Sequence, residues 1–269
     1  MKLHFHKYHG AGNDFIIIDE RVNNYLSSVE RNQQIIADLC NRRFGIGADG
    51  LMLLRSHPEY DFRMVYYNSD GYEGSMCGNG GRCLAAFAFH NRITTKEKAL
   101  FIASDGLHQA VINSDDGKSA LVSLGMNDIS EILKMGNDLF LDTGSPHLVR
   151  FVSDVEKMDV FNEGRKIRYS DVFKPGGTNV NFAEIVENSI HIRTYERGVE
   201  NETLACGTGI TATAIAAHFQ GLLKNHVNEV KLIARGGKLN VSFTPHAASY
   251  SNIILTGPAV KVFSGEIEI

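Results

Sequence analysis

Cys77 and Cys206 stand in the same local setting. Each sits in a glycine-rich turn, Met76-Cys77-Gly78-Asn79-Gly80 in one case and Ala205-Cys206-Gly207-Thr208-Gly209 in the other. Each has a glutamate four positions earlier, Glu73 and Glu202, and each precedes an almost wholly apolar run, 83–89 and 210–219. A cysteine at the start of a helix lies among N–H groups that lack intrahelical partners and carry the positive end of the helix dipole. Its thiolate is therefore favoured, and its pKa is expected below the reference of about 8.5. The same N–H groups bind a carboxylate, and Gly78, Gly80, Gly207 and Gly209 let a ligand approach the backbone closely. Two such thiols facing one α-carbon from opposite sides could remove a proton from one face and deliver another to the other. That is the chemistry of a racemase or epimerase without a cofactor.

Plainer readings compete with this one. A cysteine in a cytosolic chain is more often a small buried hydrophobe than a catalyst. That reading is adopted for Cys40, which shares the face of Ile36 in a helix expected over 30–43, and for Cys83, inside the apolar run. The repeated Cys-Gly-x-Gly setting reverses it for Cys77 and Cys206. A metal site on Cys77 and Cys83 lacks a matching Cys or His pair. The glycine turns lack both the lysine of a P-loop and the six-position pattern of a dinucleotide site. From a different class, a redox or metal-binding protein using Cys77, Cys83 and Cys206 would be told apart by metal analysis and thiol counting.

The elements that must position these cysteines follow from the surrounding pattern. Leu84-Ala85-Ala86-Phe87-Ala88-Phe89 and the run 210–217 are apolar or small on nearly every side, and a helix without a polar face must be surrounded. Short strand-like runs dominate the rest: 15–18, 51–54, 62–67, 100–103, 109–112, 121–124, 179–185, 190–195, 230–234, 239–243 and 252–255. Most are separated by Gly, Asn, Asp or Ser, which predicts antiparallel hairpins. The expected fold class is α/β, of the α+β kind: two pseudo-symmetric domains, each a curved, mostly antiparallel sheet wrapped round a central buried helix. The segments 10–15 and 143–148, both turns leading into apolar strands, support an internal duplication. The first domain is expected over 1–115, completed by 257–269, and the second over 116–256, with the seam at the Ser114-Asp115-Asp116-Gly117 turn. Ser27 with Glu30, and Ser153 with Glu156, have capping-box spacing and predict two amphipathic surface helices.

Composition excludes several classes. The 269 residues are 43% hydrophobic and 22% charged with a formal net charge of -4, the profile of a globular protein able to bury a substantial core. No basic block points to nucleic acid, and no apolar run approaches the roughly 18 residues of a membrane helix. The start alternates like a strand and has no apolar signal core, which predicts a cytosolic protein whose four cysteines are reduced thiols.

Several motifs together carry a family resemblance. Asn68-Ser69-Asp70-Gly71 precedes Met76-Cys77-Gly78-Asn79-Gly80-Gly81-Arg82-Cys83, and Tyr195-Glu196-Arg197-Gly198 precedes Glu202-Thr203-Leu204-Ala205-Cys206-Gly207-Thr208-Gly209. With the opening 7–15 and the glycine turn 45–50, these resemble the diaminopimelate epimerase family, in consistent order from Lys7 to about Gly265. The resemblance implies interconversion of LL- and meso-diaminopimelate, a step in lysine and peptidoglycan precursor biosynthesis, without pyridoxal phosphate. It also implies two similar α/β domains with the active site between them, in a homodimer.

By the same resemblance, Cys77 and Cys206 are the acid/base pair, and Gly78, Asn79, Gly207 and Thr208 hold the carboxylate at the reacting centre. Asn13 lies near the reacting amino acid, His147 and Glu196 polarise the thiols, and Asn68, Asn179 and Arg197 hold the distal end of the substrate. That end is an ammonium plus a carboxylate, which calls for an acid such as Glu196, an arginine and amide side chains. Taken singly, each residue has an ordinary reading: Asn68 as a turn former, Asn179 as a polar strand position, His147 as a loop residue, Glu196 and Arg197 as a solvated pair. Two features depart from the family pattern. Ser145 stands where many relatives have Asn, and the 198–202 turn is one residue longer. Proline and hydroxyproline racemases also use two thiols, but they tend to carry His after the first Cys-Gly, where this chain has Asn79.

Overall fold

The computed structural model describes residues 2–22, 26, 29–94, 97–223, 229–247 and 249–269. Packing divides the chain into two units, Met1–Leu124 with Gly257–Ile269, and Gly125–Thr256. In the first, β1 (Lys2–Gly10) and β2 (Asn13–Asp19) form a hairpin, and α1 (Val29–Cys40) carries the chain to β3 (Gly50–Arg55), parallel to β2. β3 pairs antiparallel with β4 (Phe62–Asn68), and α2 (Gly78–His90) follows. β5 (Lys98–Ala103) then lies parallel to β4 and starts a meander with β6 (Gly106–Asp115) and β7 (Ser119–Gly125).

The second unit repeats that order. After the short β8 (Leu133–Met135), β9 (Asp138–Asp142) and β10 (Pro146–Phe151) form the hairpin, and α3 (Val160–Arg168) crosses to β11 (Asn179–Val186), parallel to β10. β12 (Ser189–Glu196) pairs antiparallel with β11, and the short β13 (Asn201–Thr203) pairs with β12 before α4 (Gly207–Phe219). β14 (Glu229–Ala234) is parallel to β12 and leads into β15 (Gly237–Pro245) and β16 (Tyr250–Glu268). The α+β class and the duplicated, sheet-rich architecture expected from the sequence are thus observed.

Each unit wraps its strands round its own apolar helix. In the first, the part of β16 from Gly257 onward pairs with both β7 and β1, so eight strands close on themselves around α2. The first eleven residues of α2 are buried, and so are those of α4, as helices without a polar face require. Burying Leu84 or Phe87 contributes roughly 1.5–3 kcal/mol each. Both helices end on the same device: His90 Nδ1 meets the Tyr8 hydroxyl at 2.8 Å, and His218 Nδ1 meets the Tyr250 hydroxyl at 2.8 Å. Ile36, Leu39 and Cys40 of α1 join the core of Ile16, Ile18, Leu51 and Leu53, and burial pushes the Cys40 thiol up to about 12.

Three sequence expectations differ from this arrangement. The turn expected as the seam is the β6–β7 hairpin, with Gly117 at φ +85°, and the division lies at Leu124/Gly125 because β7 is hydrogen-bonded to β16 as well as to β6. The Ser153/Glu156 capping box does not form. α3 starts at Val160 with Asp159 as its cap, whose carboxylate accepts from the Asn162 N–H at 3.1 Å. The preceding residues are held otherwise, since Arg193 Nη1 donates to the carbonyls of Val155, Glu156 and Met158 at 2.9–3.0 Å. Ser27 of the other box lies outside the described residues. β16 runs well beyond the expected 252–255, from Tyr250 through Gly257-Pro258 and Gly265 to Glu268.

Candidate active site

Cys77 and Cys206 are the N-cap residues of α2 and α4, with almost identical backbones: φ −112°, ψ 116° and φ −113°, ψ 112°. Their carbonyls make the first helical bonds, from Gly81 N–H and Ile210 N–H, both at 2.8 Å. The sulfurs are held differently. Cys77 Sγ accepts from the Gly80 N–H at 3.5 Å and lies 3.7 Å from Asn13 Oδ1, whereas Cys206 Sγ meets Thr208 Oγ1 at 3.4 Å. Cys83 is fully buried about a turn and a half further along α2, and burial pushes its thiol well above the ordinary range, the behaviour of a core residue.

Around Cys77 the amides form a chain. Asn79 Nδ2 donates to Asn13 Oδ1 at 3.2 Å, and Asn13 Nδ2 donates to Asp49 at 2.8 Å. Asp49 accepts from Arg42, which also pairs with Asp14, and Lys7 pairs with Asp14 at 2.7 Å while donating to the Gly47 carbonyl. Arg82 is completely buried and clamps the helix start, with Nη2 to Asn79 Oδ1 at 2.8 Å and Nη1 to the Gly78 carbonyl at 3.2 Å. Burial pulls its pKa down to about 10, opposed by the thiols of Cys83 and Cys77, so it is charged at neutral pH. Neither Arg82 nor Asp49 was singled out from sequence, although an arginine inside an apolar helix is itself a signal. Asn68 closes β4 with its N–H on the Tyr72 carbonyl, which is the turn role.

Around Cys206 the partners are hydroxyls and an imidazole. Thr208 Oγ1 lies 2.9 Å from His147 Nε2, and Ser145 Oγ lies 3.0 Å from the same nitrogen and 3.2 Å from Thr208 Oγ1. His147 is fully buried, and burial, then the charge of Arg197, lowers its pKa to about 3, so the ring is neutral. His147 therefore reaches Cys206 through Thr208. Asn179 donates to the Pro146 carbonyl at 2.9 Å and accepts from the Arg197 N–H at 2.8 Å, so it holds the start of the 197–200 turn. Glu196 accepts from Thr203 Oγ1 at 2.8 Å, and Glu202 is bound at 2.7 Å by Arg193 through both oxygens. The missing side chains at Gly80 and Gly209 serve packing: a Cβ there would meet Met52 Sδ at 2.9 Å or Asn181 Oδ1 at 2.4 Å. Among the described residues, no group of three or more His, Cys, Asp and Glu is placed to hold a metal ion, and no helix is long and apolar enough to cross a membrane.

Comparison with known proteins places this geometry in a lineage. A family model described as diaminopimelate epimerase matches residues 5–129 and 139–262. The chain is 51% identical over 268 residues to the diaminopimelate epimerase of Flavobacterium psychrophilum, covering 99% of this chain and 100% of that one. It is 39% identical to the diaminopimelate epimerase of Aquifex aeolicus, covering 98% of both. Among solved structures, the fold is shared with a Bacillus anthracis phenazine biosynthesis protein of the PhzF family, at TM-score 0.77 and 15% identity over the whole of both chains. A hydroxyproline epimerase from Agrobacterium vitis superposes at TM-score 0.72 with 14% identity, covering 99% of this chain and 92% of that one. The extent of the sequence match decides what the shared fold alone does not, and this chain belongs to the diaminopimelate epimerase family.

Proposed function

We propose that this protein interconverts LL- and meso-diaminopimelate without a cofactor, with Cys77 and Cys206 as the acid and base on the two faces of the substrate α-carbon. The observation that carries the reading is the cysteine N-cap formed twice with the same backbone, each at the start of a buried helix. Such a position offers a thiol or thiolate beside N–H groups able to take a carboxylate. In one direction Cys77 takes the α-proton as thiolate while Cys206 delivers its own from the opposite face; in the other the roles exchange. The N–H groups of Gly78, Asn79, Gly207 and Thr208 bind the carboxylate and stabilise the charge that spreads into it as the proton leaves. Asn13 orients the reacting amino acid, and Asn68, Asn179, Glu196 and Arg197 select the ammonium and carboxylate of the distal end. The protein acts in the cytoplasm as a homodimer, which a sedimentation measurement tests independently of activity.

The decisive experiment runs LL-diaminopimelate in D₂O and analyses it at low conversion. Product carrying deuterium at the epimerised carbon, with recovered substrate almost unlabelled, is the expected result. A single base returning protons to both faces would label substrate and product alike, and that outcome rejects the two-thiol mechanism. Proline, offered under the same conditions, should not exchange.

A further inference from the structure

Asn181 is absent from the roles assigned so far, yet it is completely buried and every hydrogen-bonding atom of its amide is used. Nδ2 donates to the Leu148 carbonyl at 3.0 Å and to His147 Nδ1 at 3.1 Å, while Oδ1 accepts from Thr194 Oγ1 at 2.9 Å. The Leu148 carbonyl has no proton to give, so the atom facing it must be the NH₂ group. The amide has one satisfied orientation, in which it donates to His147. Nδ1 of His147 is then an acceptor, and the single proton of the neutral ring is on Nε2. That proton points at Thr208 Oγ1 and Ser145 Oγ, at 2.9 and 3.0 Å. With its lone pairs met by His147 and Ser145, the Thr208 hydroxyl has its own proton left for Cys206 Sγ, 3.4 Å away.

We propose that Asn181 is a positioning residue for Cys206: it locks His147 in the Nε2–H tautomer, and the lock directs the Thr208 hydroxyl proton at the Cys206 sulfur, favouring the thiolate. The inference rests on reading Cys206 as an acid/base residue, but the lock itself is a property of the resting protein. Gly209 belongs to the same device, because any side chain there would strike Asn181 Oδ1. Asn181 lies two positions after Asn179 on the same face of β11, a second buried asparagine in a strand whose next residues, Phe182 and Ala183, are apolar.

The test begins with the wild type, its histidines labelled with ¹⁵N, using two-bond proton–nitrogen correlations to find which nitrogen of His147 is protonated. A proton on Nε2 is expected; a proton on Nδ1 overturns the proposal. In Asn181→Asp a carboxylate oxygen replaces the donor, so the tautomer should reverse, Nε2 should take the Thr208 proton, and kcat should fall at least about tenfold. The pH dependence of Cys206 alkylation by iodoacetamide should move upward by about one unit, while that of Cys77 stays in place. A reversed tautomer with an unmoved Cys206 profile overturns the proposal. Should Asn181→Asp fail to fold, Thr208→Val removes the last donor of the chain and must produce the same upward move for Cys206 alone. Wild-type protein with the expected tautomer and thiol behaviour but no turnover of diaminopimelate would sink the functional reading and leave the lock standing.

Discussion

A thiol is a useful base only while its sulfur is held at the path of the proton and its thiolate is stabilised. Here the two sulfurs are held by different neighbours, a backbone N–H for Cys77 and a hydroxyl for Cys206. On the proposed two-thiol mechanism, Cys77→Ala and Cys206→Ala should each lower kcat by about 10²–10⁴-fold with an unchanged circular dichroism spectrum, since each would remove the acid/base group of one face. A variant keeping more than a tenth of the activity would contradict the assignment. Asn179→Ala should act differently. It frees the Arg197 backbone from its carbonyl partner, so KM for diaminopimelate should rise several-fold with kcat less affected. Steady-state kinetics separates the two patterns.

At the scale of elements, the site depends on how tightly α2 and α4 seat against the strands round them. Gly209→Ala places a methyl 2.4 Å from Asn181 Oδ1 and 3.3 Å from His147 Cε1, and neither neighbour can withdraw from a buried network. A loss of about 1–3 kcal/mol in urea unfolding is expected, with kcat falling alongside it. Arg193 has a comparable structural task at a distance from the chemistry. It pins three carbonyls ahead of α3 and forms a two-point pair with Glu202, which Arg235 also approaches at 3.3 Å. Arg193→Met should therefore cost about 2 kcal/mol or more, because Glu202 and the carbonyls lose their donor, while residual turnover per folded molecule stays near the wild-type value. A denaturation curve with active-site titration checks both halves of that statement.

For the whole molecule, the buried ionisable groups set the response to acid. His147 and His6 have folded pKa values of about 3 and about 4, lowered by burial first, and below the ordinary 6.5. The unfolded chain therefore binds protons at higher pH than the folded one. Their contribution is fully present above about pH 6.5 and is lost as the pH falls toward those folded values. For the fully buried His147 the loss amounts to about 1.4 kcal/mol per pH unit within that window; His6 is partly solvated and counts for less. Asp14 adds a lower window. Burial opposes its charge, but hydrogen bonds from Arg42 and Lys7 outweigh that and hold it at about 2, so its contribution fades as the pH falls from about 3.8 toward 2. Urea midpoints measured between pH 7 and 5 should drop, and the drop should flatten in His147→Asn. An unchanged slope in that variant would show that His147 is not the group responsible.

The sequence by itself determined the two cysteines, the glycine turns after them, the buried helices and the duplication, because these are local patterns: an N-cap, a run without a polar face, an order of hairpins used twice. Leu84 and Phe87 had to be enclosed whatever the topology, and Cys77 and Cys206 had to open their helices. Only the tertiary structure decided what surrounds each sulfur, since those partners come from strands far along the chain. Asn13 of β2 meets Cys77 and is itself held by Asp49 from the turn before β3, and His147 of β10 reaches Thr208 and is itself held by Asn181 from β11. Periodicity marks Asn181 only as a polar residue on a strand face, and Arg82 only as a charge in an apolar helix. Their roles arise when burial leaves each polar atom no water to bind, so that the one partner within reach fixes its orientation. The end of β7 as a boundary, the full length of β16 and the start of α3 were likewise settled by pairing and by Arg193, at sequence separations that no local pattern spans.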